Sequence, residues 1–328
     1  MSNENVTSAK NFVIVGFPGL HPNYYGIASA VMCFIYLCTL TGNGLFFALF
    51  IREKSLQKPA YFIMLNLAVS DVLFSTTTLP KAIARYWFTD MDISFAACFV
   101  QMHFVHYFGS VNALVLGIMA FDRYVAVCHP LRYASIIKDS TTLMMCVTAW
   151  LVAEPFILIP VIRAYPLPYC NSNRILQCYC DHSSLSRIAC ADTSSNHVVS
   201  LTLALIVLLT PLAFIMFSYT SIITAVCRIS SRGGRLKTLS TCSSQLLIIA
   251  LYFLPRCFNY MSPNLGITLT PDQRVLMVMC YALLPPMINP LIYCFKMKEA
   301  RESLKKSFAR STFFQFVGAK VDVFSVHK

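Results

Sequence analysis

The stretch MAFDRYVAVCHPLRY (residues 119–133) sets an acid, a base and an aromatic side by side at the end of a long apolar run, followed by a basic loop. An Asp122–Arg123 pair in such a place can work in two ways. As a latch, Asp122 holds the guanidinium in one state and releases it toward a partner when the surrounding helices move. As an anchor, Arg123 marks the cytoplasmic end of a span beside a snorkelling acid. Other reactive constellations are absent: the chain has no P-loop, no G-x-G-x-x-G, no H-E-x-x-H and no G-x-S-x-G. His103 and His106 stand about one turn apart in HFVH (103–106). Without a convincing third ligand they read as polar lining of a cavity, so no metal, cofactor or enzymatic activity is expected.

The elements that position these residues follow from composition. The chain of 328 residues is 57% hydrophobic and 12% charged, with mean hydropathy +0.62. Soluble domains carry about 25% charged residues, so the apolar excess must face lipid. Seven apolar stretches, roughly 25–50, 60–82, 97–127, 141–163, 198–226, 238–261 and 274–295, are each long enough to cross a bilayer core of about 30 Å. Their length and continuous apolarity favour helices over barrel strands. The expectation is an all-α bundle of seven transmembrane helices. An extracellular N-terminal segment (1–24) precedes the bundle (25–295), and a cytoplasmic tail (296–328) with a short amphipathic helix follows it. Of the 26 Lys and Arg, 18 fall in the loops after the first, third and fifth spans or in the tail. The positive-inside rule then puts the N-terminus outside. The net charge of +12 reflects topology and anionic lipid, not nucleic acid. Asn5 heads the chain's only N-x-S/T sequon, on the predicted outer side, as a glycosylation candidate.

Nine of the 14 cysteines lie in or at the ends of spans, where Cys behaves as a small hydrophobe. The other five, Cys98, Cys170, Cys178, Cys180 and Cys190, fall on the outer, oxidising face, where disulfides are expected. Spacing alone leaves the connectivity open, with one of the five unpaired. A zinc site from Cys178, Cys180, His182 and Cys190 matches no common module. Within the spans, Asp71, Asn43 and Asn289 read either as interhelical glue, satisfying one another, or as a polar core that rearranges between states.

Seven spans, D-R-Y after the third and NPLIY (289–293) in the seventh resemble the rhodopsin-like G-protein-coupled receptors. MAFDRYVAVCHPLRY, SYTSII (218–223), KTLSTCSSQL (237–246), PPMINPLIYCFKMKEAR (285–301), the LP-K pattern at 79–81 and the cysteine-rich outer loop narrow the resemblance to the vertebrate odorant receptors, nearly end to end. FPGL (17–20) and YCDH (179–182) lean toward the fish-like branch that detects water-borne odorants. The resemblance implies disulfides Cys98–Cys180 and Cys170–Cys190, leaving Cys178 over. Gly42, Asn43, Asp71, Trp150, Pro211 and Tyr219 match family landmarks, and Asp122, Arg123, Tyr124, Asn289, Pro290 and Tyr293 match the activation motifs. It further implies a small-molecule odorant as ligand, an olfactory-type stimulatory heterotrimeric G protein that raises cyclic AMP, and residence in the plasma membrane of sensory cilia. Two positions depart from the pattern. Asn112 stands where the family often has an acid, which puts an ion site with Asp71 in doubt. Gln245 replaces a usual His and cannot titrate.

A ligand pocket is expected between the outer halves of the third, fifth, sixth and seventh spans. Helical spacing puts Met102, His106, Gly109 and Ser110 on one face of the third span, and Phe253, Arg256, Cys257 and Tyr260 on a matching face of the sixth. Leu203, Val207, Met279 and Ala282 complete the candidate set; for each apolar residue, plain helix packing is the alternative. Arg256, inside an apolar span, needs a partner. Glu154, water or an organic anion as ligand would serve, with His106 as a second donor to that anion. A transporter fits less well, since the span count is odd and no repeat relates the two halves. A non-olfactory receptor for a small lipid or steroid is the remaining alternative.

Overall fold

A computed structural model of the chain describes residues 11–296 except 171, 229, 230, 263 and 264. Asn5 and the expected helix after the seventh span lie outside the described residues. Among the described residues, seven helices are long and apolar enough to cross a membrane. They are α1 (Tyr25–Arg52), α2 (Pro59–Trp87), α3 (Phe95–Cys128), α5 (Asp139–Ala164), α7 (Ser194–Cys227), α8 (Arg232–Met261) and α9 (Pro271–Lys296). Two short helices sit in the loops: α4 (Tyr133–Ile136) on the inner side and α6 (His182–Ile188) on the outer. Exposed Leu151, Ile162, Met216 and Phe217 on α5 and α7 form part of an apolar belt of the kind a bilayer covers.

Helix ends follow local chemistry. Pro59 starts α2 at the first-turn position where its missing N–H costs nothing. The Ser94 side chain accepts from Ala97 N to open α3. Each span begins and ends within a few residues of the apolar run that announced it, except that α8 starts six residues early at Arg232 and α2 runs through Pro80 to Trp87. The extra turn of α2 carries Arg85, which is buried. Its Nε donates to the Ile14 and Val15 carbonyls at 3.1 and 3.3 Å, and its guanidinium lies over the Tyr25 and Tyr86 rings.

That arginine reaches a feature the all-α expectation did not contain, a three-stranded sheet on the outer face ordered β2-β1-β3. Strand β1 (Asn11–Ile14) pairs antiparallel with β2 (Asp92–Ser94), Phe12 opposite Ile93. It pairs parallel with β3 (Arg174–Ile175), Ile14 opposite Ile175. Strands of two to four residues are too short for alternation to show in sequence. The sheet buries Phe12 and Ile14 with Tyr169, Ile175 and the Cys98–Cys180 disulfide.

The bundle's centre is held by polar contacts between helices. Asp71 accepts Asn112 Nδ2 on one oxygen at 2.9 Å and Asn289 Nδ2 on the other at 2.7 Å, joining α2, α3 and α9. Asn43 does not belong to this set, contrary to the simplest expectation. Its Nδ2 donates to Thr39 O and, at 3.0 Å, to Pro286 O. The reason is Pro290: having no N–H, it leaves the carbonyl four residues earlier without its helix donor, and Asn43 supplies one. Gly42 makes the same approach possible, because a Cβ there would lie 2.8 Å from Pro290 Cγ. Gly42→Val should therefore lower the protein's melting temperature and surface expression sharply. Gly44→Ala, with open space around its Cβ position, should do neither; thermal-shift measurement on purified protein distinguishes the two.

Candidate functional site

At the outer end, two disulfides, Cys98–Cys180 and Cys170–Cys190, pin the long loop over the bundle. The first is reinforced by Gln101, whose Oε1 accepts Cys180 N at 3.0 Å while its Nε2 donates to Thr77 O at 2.9 Å. Cys178 is free and buried, and burial pushes its thiol up to about 12. Helix α6 starts on Asp181, which accepts from Ser183 N and Ser184 N. His182 then bridges to α7, Nε2 lying 2.9 Å from Ser200 Oγ. Burial and the nearby His197 lower the His182 imidazole below its ordinary value, against the opposing pull of Asp181, so it is neutral at physiological pH. At the rim, Arg163 bonds Asn196 and Ser195, tying α5 to α7.

Beneath this loop lies a cavity of about 260 Å³ between α3, α5, α7, α8 and α9. Of the twelve candidate ligand residues, Met102, His106 and Tyr260 line it. Arg256 lies behind Tyr281. Its Cζ is 4.9 Å from that ring and 4.2 Å from the Tyr252 ring, and it forms no salt bridge among the described residues. Glu154 does not meet it; its Oε1 sits 3.4 Å from His103 Nε2 instead. Gly109 packs against the Arg256 guanidinium, and its carbonyl accepts the Tyr252 hydroxyl. Ser110 donates to the His106 carbonyl at 2.8 Å. Phe253, Met279 and Ala282 are packed in the hydrophobic core, as is Val207 in the fifth span; Leu203 and Cys257 are half-buried outside the lining.

The residues that complete the lining were not foreseen. Phe156, Ile157, Pro160 and Val161 come from α5, a span not counted among the pocket walls. Ser200, Leu201 and Ala204 come from α7 in place of Leu203 and Val207, and Arg274, Val278 and Tyr281 from α9 in place of Met279 and Ala282. A uniformly apolar helix gives periodicity nothing to mark its inward face. Arg274, Val278 and Tyr281 do carry a signal, for a cation and a tyrosine spaced at four and three residues share one face. Gln177, Tyr179, Asp181 and Arg187 enter from the loop.

At the inner end, Asp122 Oδ2 and Arg123 Nε are 3.5 Å apart, an ion pair without a hydrogen bond between them. The other Asp122 oxygen accepts the Tyr133 hydroxyl of α4 at 2.7 Å; burial and this carboxylate push that hydroxyl's ionisation upward. Tyr124 OH lies 3.2 Å from His129 Nε2. Tyr219 donates to Gln245 Oε1 at 3.3 Å, linking α7 to α8. Tyr293 is buried against Phe46, its hydroxyl unpartnered. Asn289 and Pro290 hold the Asp71 and Gly42 contacts described above.

The described fold is also that of a known receptor: the crystal structure of squid rhodopsin superposes with a TM-score of 0.71, covering 89% of this chain and 87% of that one at 20% identity. A sequence model of the olfactory receptor family matches residues 32–311. Olfactory receptor 2AT4 of Homo sapiens is 34% identical over 304 residues, covering 93% of this chain and 94% of that protein. Olfactory receptor 52K1 of Homo sapiens is 35% identical over 311 residues, covering 94% and 98%, and Olfactory receptor 51E2 of Homo sapiens 35% over 308 residues, covering 94% and 96%. With a loop-capped cavity at one end, an Asp–Arg pair at the other and this match along nearly its whole length, the chain belongs to the olfactory receptor family.

Proposed function

We propose that this olfactory receptor binds a small organic ligand in the outer cavity and, through the Asp122–Arg123 pair, activates an olfactory-type stimulatory heterotrimeric G protein that raises cyclic AMP, in the plasma membrane of sensory cilia. The observation that carries the reading is that α3 serves both ends. His106 lines the cavity and Arg123 stands at the inner mouth, about 25 Å away along one helix at 1.5 Å per residue. A ligand that binds one arrangement of α3 better than another shifts the population of the other end. An organic anion fits the lining best. Arg187 and Arg274 face the cavity, while its one carboxylate, Asp181, already caps α6.

The reading is tested by expressing the chain with an olfactory-type G protein and measuring cyclic AMP against acids, amines, alcohols, steroids and lipids. Silence across every class, at normal surface density, would overturn it. Arg123→Ala should reach the surface, keep the outer fold and lose the cyclic-AMP response; normal signalling by that variant would sink the latch. Asp122→Asn removes the charge that holds Arg123, so basal cyclic AMP should rise severalfold at matched surface expression.

A further inference from the structure

A guanidinium inside a membrane bundle needs its charge compensated, and Arg256 lacks the ordinary means. No carboxylate pairs with it among the described residues, and its buried Nε has no hydrogen-bond partner. Its surroundings are aromatic. The Tyr252 and Tyr281 rings lie 4.2 and 4.9 Å from its Cζ, and Tyr260 follows it by about one turn of α8. Tyr252 directs its hydroxyl to Gly109 O. Gly109 also removes any side chain of α3 from the spot, since a Cβ there would lie 3.2 Å from both terminal nitrogens of Arg256. Tyr281, Tyr260 and Tyr179 of the outer loop line the cavity. His106 lines it as well, and its Nε2 is buried without a partner. The protein therefore gathers phenol and imidazole donors on the cavity side and a permanent positive charge behind them.

We infer that Tyr179, Tyr260, Tyr281 and His106 form a seat for the carboxylate of a small organic acid, with Arg256 as a positioning residue that acts through the tyrosines and does not touch the ligand. This rests on the cavity being the ligand site. A cation against a phenol ring draws electron density from the hydroxyl and strengthens it as a donor. In a low-dielectric interior the same charge makes the cavity floor attractive to an anion several ångströms away. The ionised oxygens accept from the tyrosines, giving charge-assisted hydrogen bonds. The hydrocarbon part of the acid then lies along Met102, Ile157, Leu201 and Val278. The seat is about 10 Å inward of Arg274, since Tyr281 follows it by seven residues on α9. A neutral ester has the same shape but gains little from the potential, so the structure assigns Arg256 to acid-over-ester selectivity.

The test compares short- and medium-chain linear carboxylic acids with their methyl esters, and with alcohols and amines of equal chain length, by cyclic-AMP response at matched surface expression. In the wild type the acids should be the more potent. Arg256→Gln should cost the acids roughly ten- to a hundredfold in potency, the pull of a unit charge several ångströms from a carboxylate in a protein interior, and the esters little. Arg256→Lys should keep most of the acid preference, because the charge stays. Tyr260→Phe and Tyr281→Phe should each lower acid potency severalfold and spare the esters. If Arg256→Gln fails to reach the surface, Arg256→Lys and the two Tyr→Phe variants still decide the matter. Equal losses for acid and ester make Arg256 structural and overturn the seat. Loss of acid response in Arg256→Gln with both Tyr→Phe variants unchanged means direct contact, and overturns the route through the tyrosines. Response to alcohols or amines but to no acid removes the anion seat and leaves the receptor reading standing. Silence to every compound removes both.

Discussion

A carboxylate in the middle of a membrane bundle is tolerable only when both its oxygens are hydrogen-bonded, and this constraint sets the register of the helices around Asp71. Its two amide partners, Asn112 and Asn289, come from α3 and α9 and fix both helices against α2 at one level. The same rule governs backbone groups, since lipid offers no donors or acceptors to a proline-broken helix. Pro290 leaves the Pro286 carbonyl without its donor, and Asn43 fills the gap. Close approach of α1 at that point requires Gly42. Thus a proline in the seventh span dictates a glycine and an asparagine in the first. Deep polar residues in this chain are positioned by the hydrogen bonds that the bilayer withholds.

Arg256 meets the constraint differently. Asp71 is satisfied by neutral amides that keep the centre closed. Arg256 is met by the faces of Tyr252 and Tyr281, which stabilise a cation without neutralising it. Cation–π contact leaves net positive charge in place, so its field extends into the cavity beyond the tyrosines. A carboxylate partner such as Glu154 would have quenched that field; Glu154 is held by His103 at the boundary of α3 and α5. The pairing of Glu154 with His103 and of Arg256 with tyrosines keeps these two opposite charges apart.

Some of this was legible in the sequence. Membrane length and apolarity located all seven helices, because both are properties of composition over about 20 residues. The inward direction of Arg256 followed from its spacing to Phe253 and Tyr260, and the disulfide partners from resemblance where spacing left them open. The rest depends on rotation and crossing of apolar helices. Leu201 and Leu203 are chemically alike, yet the first lines the cavity and the second does not. Nothing local separates them, since which face points inward is decided by neighbours on α3 and α5. The outer sheet was hidden for another reason: β1 pairs with residues far along the chain, Ser94 and Ile175, through strands too brief to show a pattern. The partner of Asn43 was hidden because the carbonyl it satisfies belongs to the backbone, which has no letter in the sequence.

The two ends of the receptor are joined by the elements that meet at Asp71. On α3, Asn112 lies between His106 in the cavity wall and Arg123 at the inner mouth. On α9, Asn289 lies between Tyr281 in the cavity wall and Tyr293 against Phe46. A ligand drawn to Tyr281 and His106 therefore acts on the two helices whose amides share one carboxylate. If those helices slide or rotate relative to each other, at least one of the two hydrogen bonds to Asp71 must lengthen, and a buried acceptor left unpaired costs about 1–3 kcal/mol. That magnitude suits a switch. It is large enough to hold the resting arrangement and small enough to be overcome by the differential affinity of one well-placed charged group. At the inner end the Asp122–Arg123 pair is already long and lacks a hydrogen bond, while Tyr133 holds the acid's other oxygen. Release there opposes little more than an ion pair at 3.5 Å, so the central amide–carboxylate cluster, more than the Asp–Arg pair, sets the threshold between the two states.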